Sequence, residues 1–116
     1  MPRFAILTHD HPFPHWDFLL EDGDACRTWR LLSEPSTTCT IPAERIADHR
    51  LTYLDYEGPV SGGRGQVSRL DGGNFIWLHD AEDCIEVELH GSRFQVFSTL
   101  ERHLDGDWTA TFHERR

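Results

Sequence analysis

A chain of 116 residues has room for one domain and one modest core, which its 38% hydrophobic content, with four Trp and seven Phe, can fill. No stretch approaches the ~20 apolar residues of a membrane span, and Met1-Pro-Arg-Phe4 lacks the basic and apolar regions of a signal peptide, so a cytoplasmic protein with no membrane partner is expected. The formal net charge is −9 and all 11 basic residues are Arg, which argues against a broad basic surface for nucleic acid but permits a local Arg cluster.

In chain order, Phe4–Thr8 is a short apolar run. The segment from His11 to Pro14 cannot be helix, because Pro12 and Pro14 fix φ and remove donors. From His15 to Glu21 the chain alternates, with Trp16, Phe18 and Leu20 on one face and His15, Asp17, Leu19 and Glu21 on the other. That period of two predicts a half-buried strand. A turn signal at residues 21–24 leads to a further strand over Thr28–Leu32. Ser33–Pro42 reads as loop, Ala43–His49 as either a short helix or a strand, and Glu57–Gly65 as loop again. Gln66–Leu70, Asn74–His79, Glu82–His90, Arg93–Leu100 and Trp108–His113 all read as strands. Turns are expected between them at 71–73, 90–92 and 105–107. The sum is an all-β fold, a barrel or a sandwich of short strands, with no long helix.

Cys26, Cys39 and Cys84 fit neither a disulfide framework nor a CxxC zinc pattern, and are expected as reduced thiols. Eight His in this length is a high density, and histidine is the commonest protein metal ligand. Residues i and i+2 of a strand project from one face, ~6.5 Å apart at Cα. His15 and Asp17 therefore point the same way, and the Pro-rich bend can return His9 toward them. Two His and a carboxylate form a ligand set suited to Mn²⁺, Fe²⁺ or Zn²⁺ with positions open for water or substrate. On spacing alone, a plain solvated strand face stays open as the alternative.

The stretch His9-Asp-His-Pro-Phe-Pro-His15-Trp-Asp17-Phe-Leu-Leu-Glu21 resembles the opening motif of the phosphoesterase domain of bacterial DNA ligase D. That motif runs His-Asp, four residues, then His-aromatic-Asp-Phe-Arg-Leu-Glu. Thr28-Trp29 resembles the family's Ser-Trp, Asp48-His49-Arg-Leu-Thr-Tyr53 its Asp-His-Pro-Leu-x-Tyr, and Asp55-Tyr-Glu-Gly58 its Asp-Phe-Glu-Gly. Leu70-Asp-Gly-Gly73 resembles its Trp-Asp-x-Gly, and Val87-Glu-Leu-His-Gly91 and Gly106-Asp-Trp-Thr109 echo its later strands. The resemblance spans nearly the whole chain.

The resemblance implies a single phosphoesterase-like domain over 1–116, folded as a small antiparallel β-barrel with long loops, at most short helices, and the site at one end. It implies a divalent-metal cofactor, manganese by preference with zinc as the alternative, and removal of a 3′-phosphate or 3′-ribonucleotide from DNA ends in repair. His9, His15 and Asp17 would hold the metal, His49 would contact the scissile phosphate, and Tyr53 would share the pocket. Separate ligase or polymerase repair proteins are implied partners, since neither kind of domain is found in these residues. Three departures stand out: Leu19 replaces the motif's Arg, Ser33 a Lys, and Ala47 an acidic residue. Weakened action on 3′ ends is therefore expected, with Leu19→Arg restoring it unless Arg30, Arg50 or Arg64 already serves. A phosphoesterase for a small phosphorylated molecule and a non-catalytic metal-binding repair module are the rival functions.

His11 is expected as a plain loop residue, and His79, His90, His103 and His113 as surface residues. Trp16, Trp29, Trp77 and Trp108 are expected in the core, and residues 62–65 as a turn more than a phosphate cradle.

Overall fold

A computed structural model of the chain describes residues 1–114. Among the described residues nine strands form one antiparallel sheet: β1 (Arg3–His9), β2 (His15–Asp22), β3 (Ala25–Leu31), β4 (Ile41–Arg50), β5 (Gly58–Pro59), β6 (Gln66–Asp80), β7 (Cys84–Gly91), β8 (Val96–Arg102) and β9 (Trp108–Glu114). The order β1-β2-β3-β4-β9-β8-β7-β6 closes on itself through pairing of β6 with β1, and the two-residue β5 attaches to β6. The result is a closed eight-stranded antiparallel barrel, joined most narrowly between β4 and β9, which pair over Ile41–Ala43 and Trp108–Ala110. Among the described residues the one helical element is a 3-10 turn, Leu51–Leu54.

Two expectations are revised. The segment that was ambiguous between helix and strand is β4, which begins at Ile41 and pairs first with β9, then with β3. Residues 71–73, read as a turn between two strands, lie instead inside the single 15-residue strand β6. Here β6 passes from β1 to β7, and a bulge falls between Ile6 and Leu7 on the facing strand. A Cβ on Gly73 would collide with the His90 carbonyl, so glycine serves close strand approach there. The Asp71 carboxylate crosses to the β7–β8 connection and accepts the N–H groups of Ser92, Arg93 and Phe94 at 3.0, 3.1 and 2.7 Å.

The barrel interior holds the main core, with Phe4, Ile6, Phe18, Leu20, Trp29, Phe75, Val87 and Phe112 among its members. Trp108 is buried with them, and Trp16 and Trp77 pack against them partly exposed. A second apolar cluster lies on the outside of the β1–β2 wall. Ala5, Leu7, Leu19, Cys26 and Val67 are covered there by Leu54, with Leu51, Tyr53, Tyr56 and Val60 packed around them. The segment after β4 thus folds over the outer face, and β2 is buried on both sides where sequence alternation anticipated one. That cover converts the polar end of β2 from a wet surface into the floor of a pocket.

Candidate metal centre

The pocket begins from the β1–β2 hairpin. Its register sets His9 directly opposite His15, and the Pro-rich residues 10–14 make the connection. Directly opposed residues share a face, and Asp17 follows on that face two residues later. The two imidazole centroids are 4.7 Å apart. One ligand atom from each of His9, His15 and Asp17 falls within a span of 4.8 Å. His15 is 2% exposed and Asp17 1%, which excludes the solvated-face alternative.

Hydrogen bonds orient both rings. His9 Nε2–H donates to the Arg64 carbonyl at 2.9 Å, and His15 Nδ1–H donates to the Phe13 carbonyl at 2.9 Å. The remaining nitrogens face the carboxylate: His9 Nδ1 stands 3.0 Å from Asp17 Oδ2, and His15 Nε2 stands 3.0 Å from Asp17 Oδ1. The second contact is a close pair without hydrogen-bond alignment, and both of its atoms are buried without a hydrogen-bond partner. In neutral tautomers those two nitrogens carry lone pairs, so three electron-rich atoms crowd one small space. A cation satisfies all three, and carbonyl acceptors behind metal-binding imidazoles are the usual means of fixing the tautomer. The residues therefore fit a divalent ion. Burial pushes the Asp17 carboxyl up, but when the imidazoles are protonated the close side-chain contact and charge of His15, then the charge of His49 and the hydrogen bond from His9, outweigh it and hold the pKa below the ordinary carboxylate value.

The glycine loop supports this arrangement. Gly65 has φ +75° and a Cβ there would meet Asp10 Oδ1, the acceptor of the Gln66 N–H at 2.8 Å. Asp10 and Gly65 together seat the loop so that the Arg64 carbonyl reaches His9. The loop is a turn, as expected, and its contribution is to orient a ligand.

His49, at the end of β4, and Tyr53, in the 3-10 turn, reach the same pocket of about 530 Å³ as His9, His15 and Asp17. Their rings meet edge-on at 5.6 Å. His49 Nδ1–H donates to the Ala47 carbonyl at 3.1 Å, leaving Nε2 free for proton exchange. All five predicted site residues are thus brought together, on the outer face of the wall at the hairpin end and not in the barrel lumen. His11, read as a plain loop residue, also lines the pocket, and no spacing rule could have found it.

Arg30, Arg50 and Arg64 line the pocket too, a local basic cluster in an acidic chain. Leu19 does not. It is fully buried in the outer cluster, so an Arg at 19 would enter an apolar interior, and the expectation that Leu19→Arg restores phosphate binding loses its basis. Ser33 is exposed in the β3–β4 loop, and Ala47 sits on the pocket rim. His79, His103 and His113 are exposed and His90 partly so, away from this pocket.

Comparison with known proteins gives a concordant result. A family model described as the DNA Ligase D 3′-phosphoesterase domain matches residues 7–102, which include every residue of the pocket named above. The Multifunctional non-homologous end joining protein LigD of Pseudomonas aeruginosa is 30% identical over 92 residues, 72% of this chain and 11% of that protein. The Multifunctional non-homologous end joining DNA repair protein LigD of Mycobacterium tuberculosis is 30% identical over 116 residues, 92% of this chain and 15% of that protein. The chain therefore spans between 11% and 15% of the length of these curated relatives.

Proposed function

The chain belongs to the family of DNA Ligase D 3′-phosphoesterase domains, and from that premise we propose that it is a divalent-metal-dependent phosphoesterase acting on a phosphate-bearing 3′ end of DNA. The observation that carries this reading is the convergence of His9, His15 and Asp17 on one point, with His49 across the same pocket. The basic lining supports an anionic ligand despite the net charge of −9.

In this mechanism His9, His15 and Asp17 would hold the ion, manganese by preference and zinc as the alternative. A divalent ion held there would supply charge neutralisation at a phosphate oxygen and a more acidic water. The Phe13 and Arg64 carbonyls keep the two imidazoles pointed inward. His49, with Nδ1 committed to the Ala47 carbonyl, exchanges a proton or hydrogen bond with the substrate through Nε2. Tyr53 packs against that ring and fixes its orientation. Separate ligase and polymerase proteins are natural partners for such end cleaning.

The test is turnover of a 3′-phosphate oligonucleotide and of a generic phosphodiester, with Mn²⁺, with Zn²⁺ and with a chelator. Metal-dependent release of phosphate from the 3′ end is expected. His49→Ala should cut the rate by roughly 10²–10⁴ while metal affinity is retained, because the group acts on substrate. Turnover of the small phosphodiester alone would favour a small phosphorylated substrate, and metal binding without turnover of either would favour a repair accessory module.

A further inference from the structure

We propose that Arg30 is the phosphate-binding side chain of this pocket, presenting its guanidinium from β3 to an anionic group held beside His9, His15 and Asp17. The proposal deepens the phosphoesterase reading and rests on it for the identity of the substrate.

The β2–β3 register sets Arg30 directly opposite Asp17. Opposed residues of an antiparallel pair share a face, so the side chain projects toward the candidate ligands, and it lines their cavity. Among the described residues its guanidinium forms only a loose ion pair, with Glu44. Nε is buried with no hydrogen-bond partner among the described residues. Nη1 comes no nearer to a carboxylate than 3.6 Å, at Glu44 Oε1, which is beyond good hydrogen-bond range. The ring of Phe13 lies 5.6 Å from the guanidinium carbon, a contact that steadies the planar group without using its N–H groups.

The other arginines are differently placed. Arg64 is folded onto its own turn, donating to the Ser61 carbonyl and hydroxyl at 2.7 and 3.2 Å. Arg45 is tied to Asp48 at 3.0 Å, and Arg27 donates to both oxygens of Asp80 at 3.0 Å. Arg50 lines the cavity but is exposed at the last residue of β4. Arg30 combines a position beside the candidate metal ligands with a buried unpaired donor, which is costly unless a ligand takes it. A planar fork of N–H groups matches two oxygens of one phosphate.

The test follows inorganic phosphate binding to the full chain, metal-free and Zn²⁺-loaded, by the NMR signal of the Arg30 Nε–H group, identified from its loss in Arg30→Ala. That signal is expected to move as phosphate binds. Arg30→Ala should weaken binding of phosphate and of a 3′-phosphate oligonucleotide about tenfold or more. Arg30→Lys should recover only part, because a point charge lacks the fork. Metal affinity, read by calorimetry, should stay nearly unchanged in both variants. Arg102→Ala, in a separate cleft with Arg27 and Asp80, should match wild type throughout. A fixed Arg30 signal with unaltered phosphate affinity in Arg30→Ala overturns the proposal and leaves the phosphoesterase reading intact. Arg30-dependent phosphate binding without preference for a 3′-phosphate over a 3′-hydroxyl oligonucleotide supports the clamp and overturns the DNA-end reading. No phosphate binding to wild type, with or without Zn²⁺, overturns both.

Discussion

At the scale of single residues, one strand face carries opposite chemistries within five positions. His15 and Asp17 are polar and buried, and Leu19 beyond them is apolar and buried. The difference lies in what covers each: a pocket over the first two, Leu54 and its neighbours over the third. Leu19→Arg is accordingly expected to destabilise the fold by about 3–5 kcal/mol, the usual penalty of an uncompensated buried charge. Leu19→Met, which conserves volume, should cost under about 1.5 kcal/mol. Urea midpoints of the two variants would show the contrast, and a stable Leu19→Arg protein with raised phosphate affinity would contradict it. The same cover acts on Cys26, whose thiol is pushed up to about 11, by burial first and then by Glu21 and Asp48. Since the thiolate is the reactive form, Cys39, which is exposed, should alkylate at mild pH while Cys26 stays intact until the protein unfolds. Mass spectrometry of peptides after timed alkylation reads both rates.

At the scale of elements, the hairpin β1–β2 was the most legible part of the sequence, because period-two alternation and two prolines define strand and connection locally. The least legible was β6. Its Asp-Gly-Gly run has the composition of a turn, yet the chain stays extended, Gly73 serves close contact with β7, and a Cβ on Gly72 would meet the Arg69 side chain. Asp71 is the residue that sequence reading undervalued. One carboxylate serves three main-chain donors in the β7–β8 connection, so it acts as a fastener between two parts of the barrel. Asp71→Ala would leave those N–H groups unpaired and is expected to cost about 2–4 kcal/mol, since hydrogen bonds to charged groups are worth ~1.5–3 kcal/mol each but are not additive. Thermal unfolding measures the loss. Hydrogen exchange should speed up first at residues 92–94, and uniform acceleration across the barrel would count against the local role.

At the scale of the whole molecule, stability and metal occupancy should be linked. An ion that binds only the folded state stabilises it by RT ln(1 + [L]/Kd), about 2.7 kcal/mol at 100 times Kd. For a domain of this size that raises Tm by on the order of 10 °C, and a chelator should reverse it. In His15→Ala the same metal concentration should move Tm little, because one of three converging ligands is gone. An equal shift in wild type and His15→Ala would place the ion elsewhere. What the sequence determined by itself was local: strand periodicity, the turns that lack long-range roles, the pairing of His15 with Asp17 on one face, and the family to which its motifs belong. Barrel closure was beyond it, because pairing of β6 with β1 joins residues 58 to 71 positions apart, from His9 with Val67 to Arg3 with Asn74, and leaves no periodic trace. So were the burial of both faces of β2 and the entry of His11, Arg30 and Arg64 into one pocket. Those depend on the segment after β4 folding over the outer wall, and on strand register, which places Arg30 beside Asp17 although 13 positions separate them in the chain. Alternation says which residues share a face; only packing against the rest of the chain decides whether that face meets water, apolar side chains or a site.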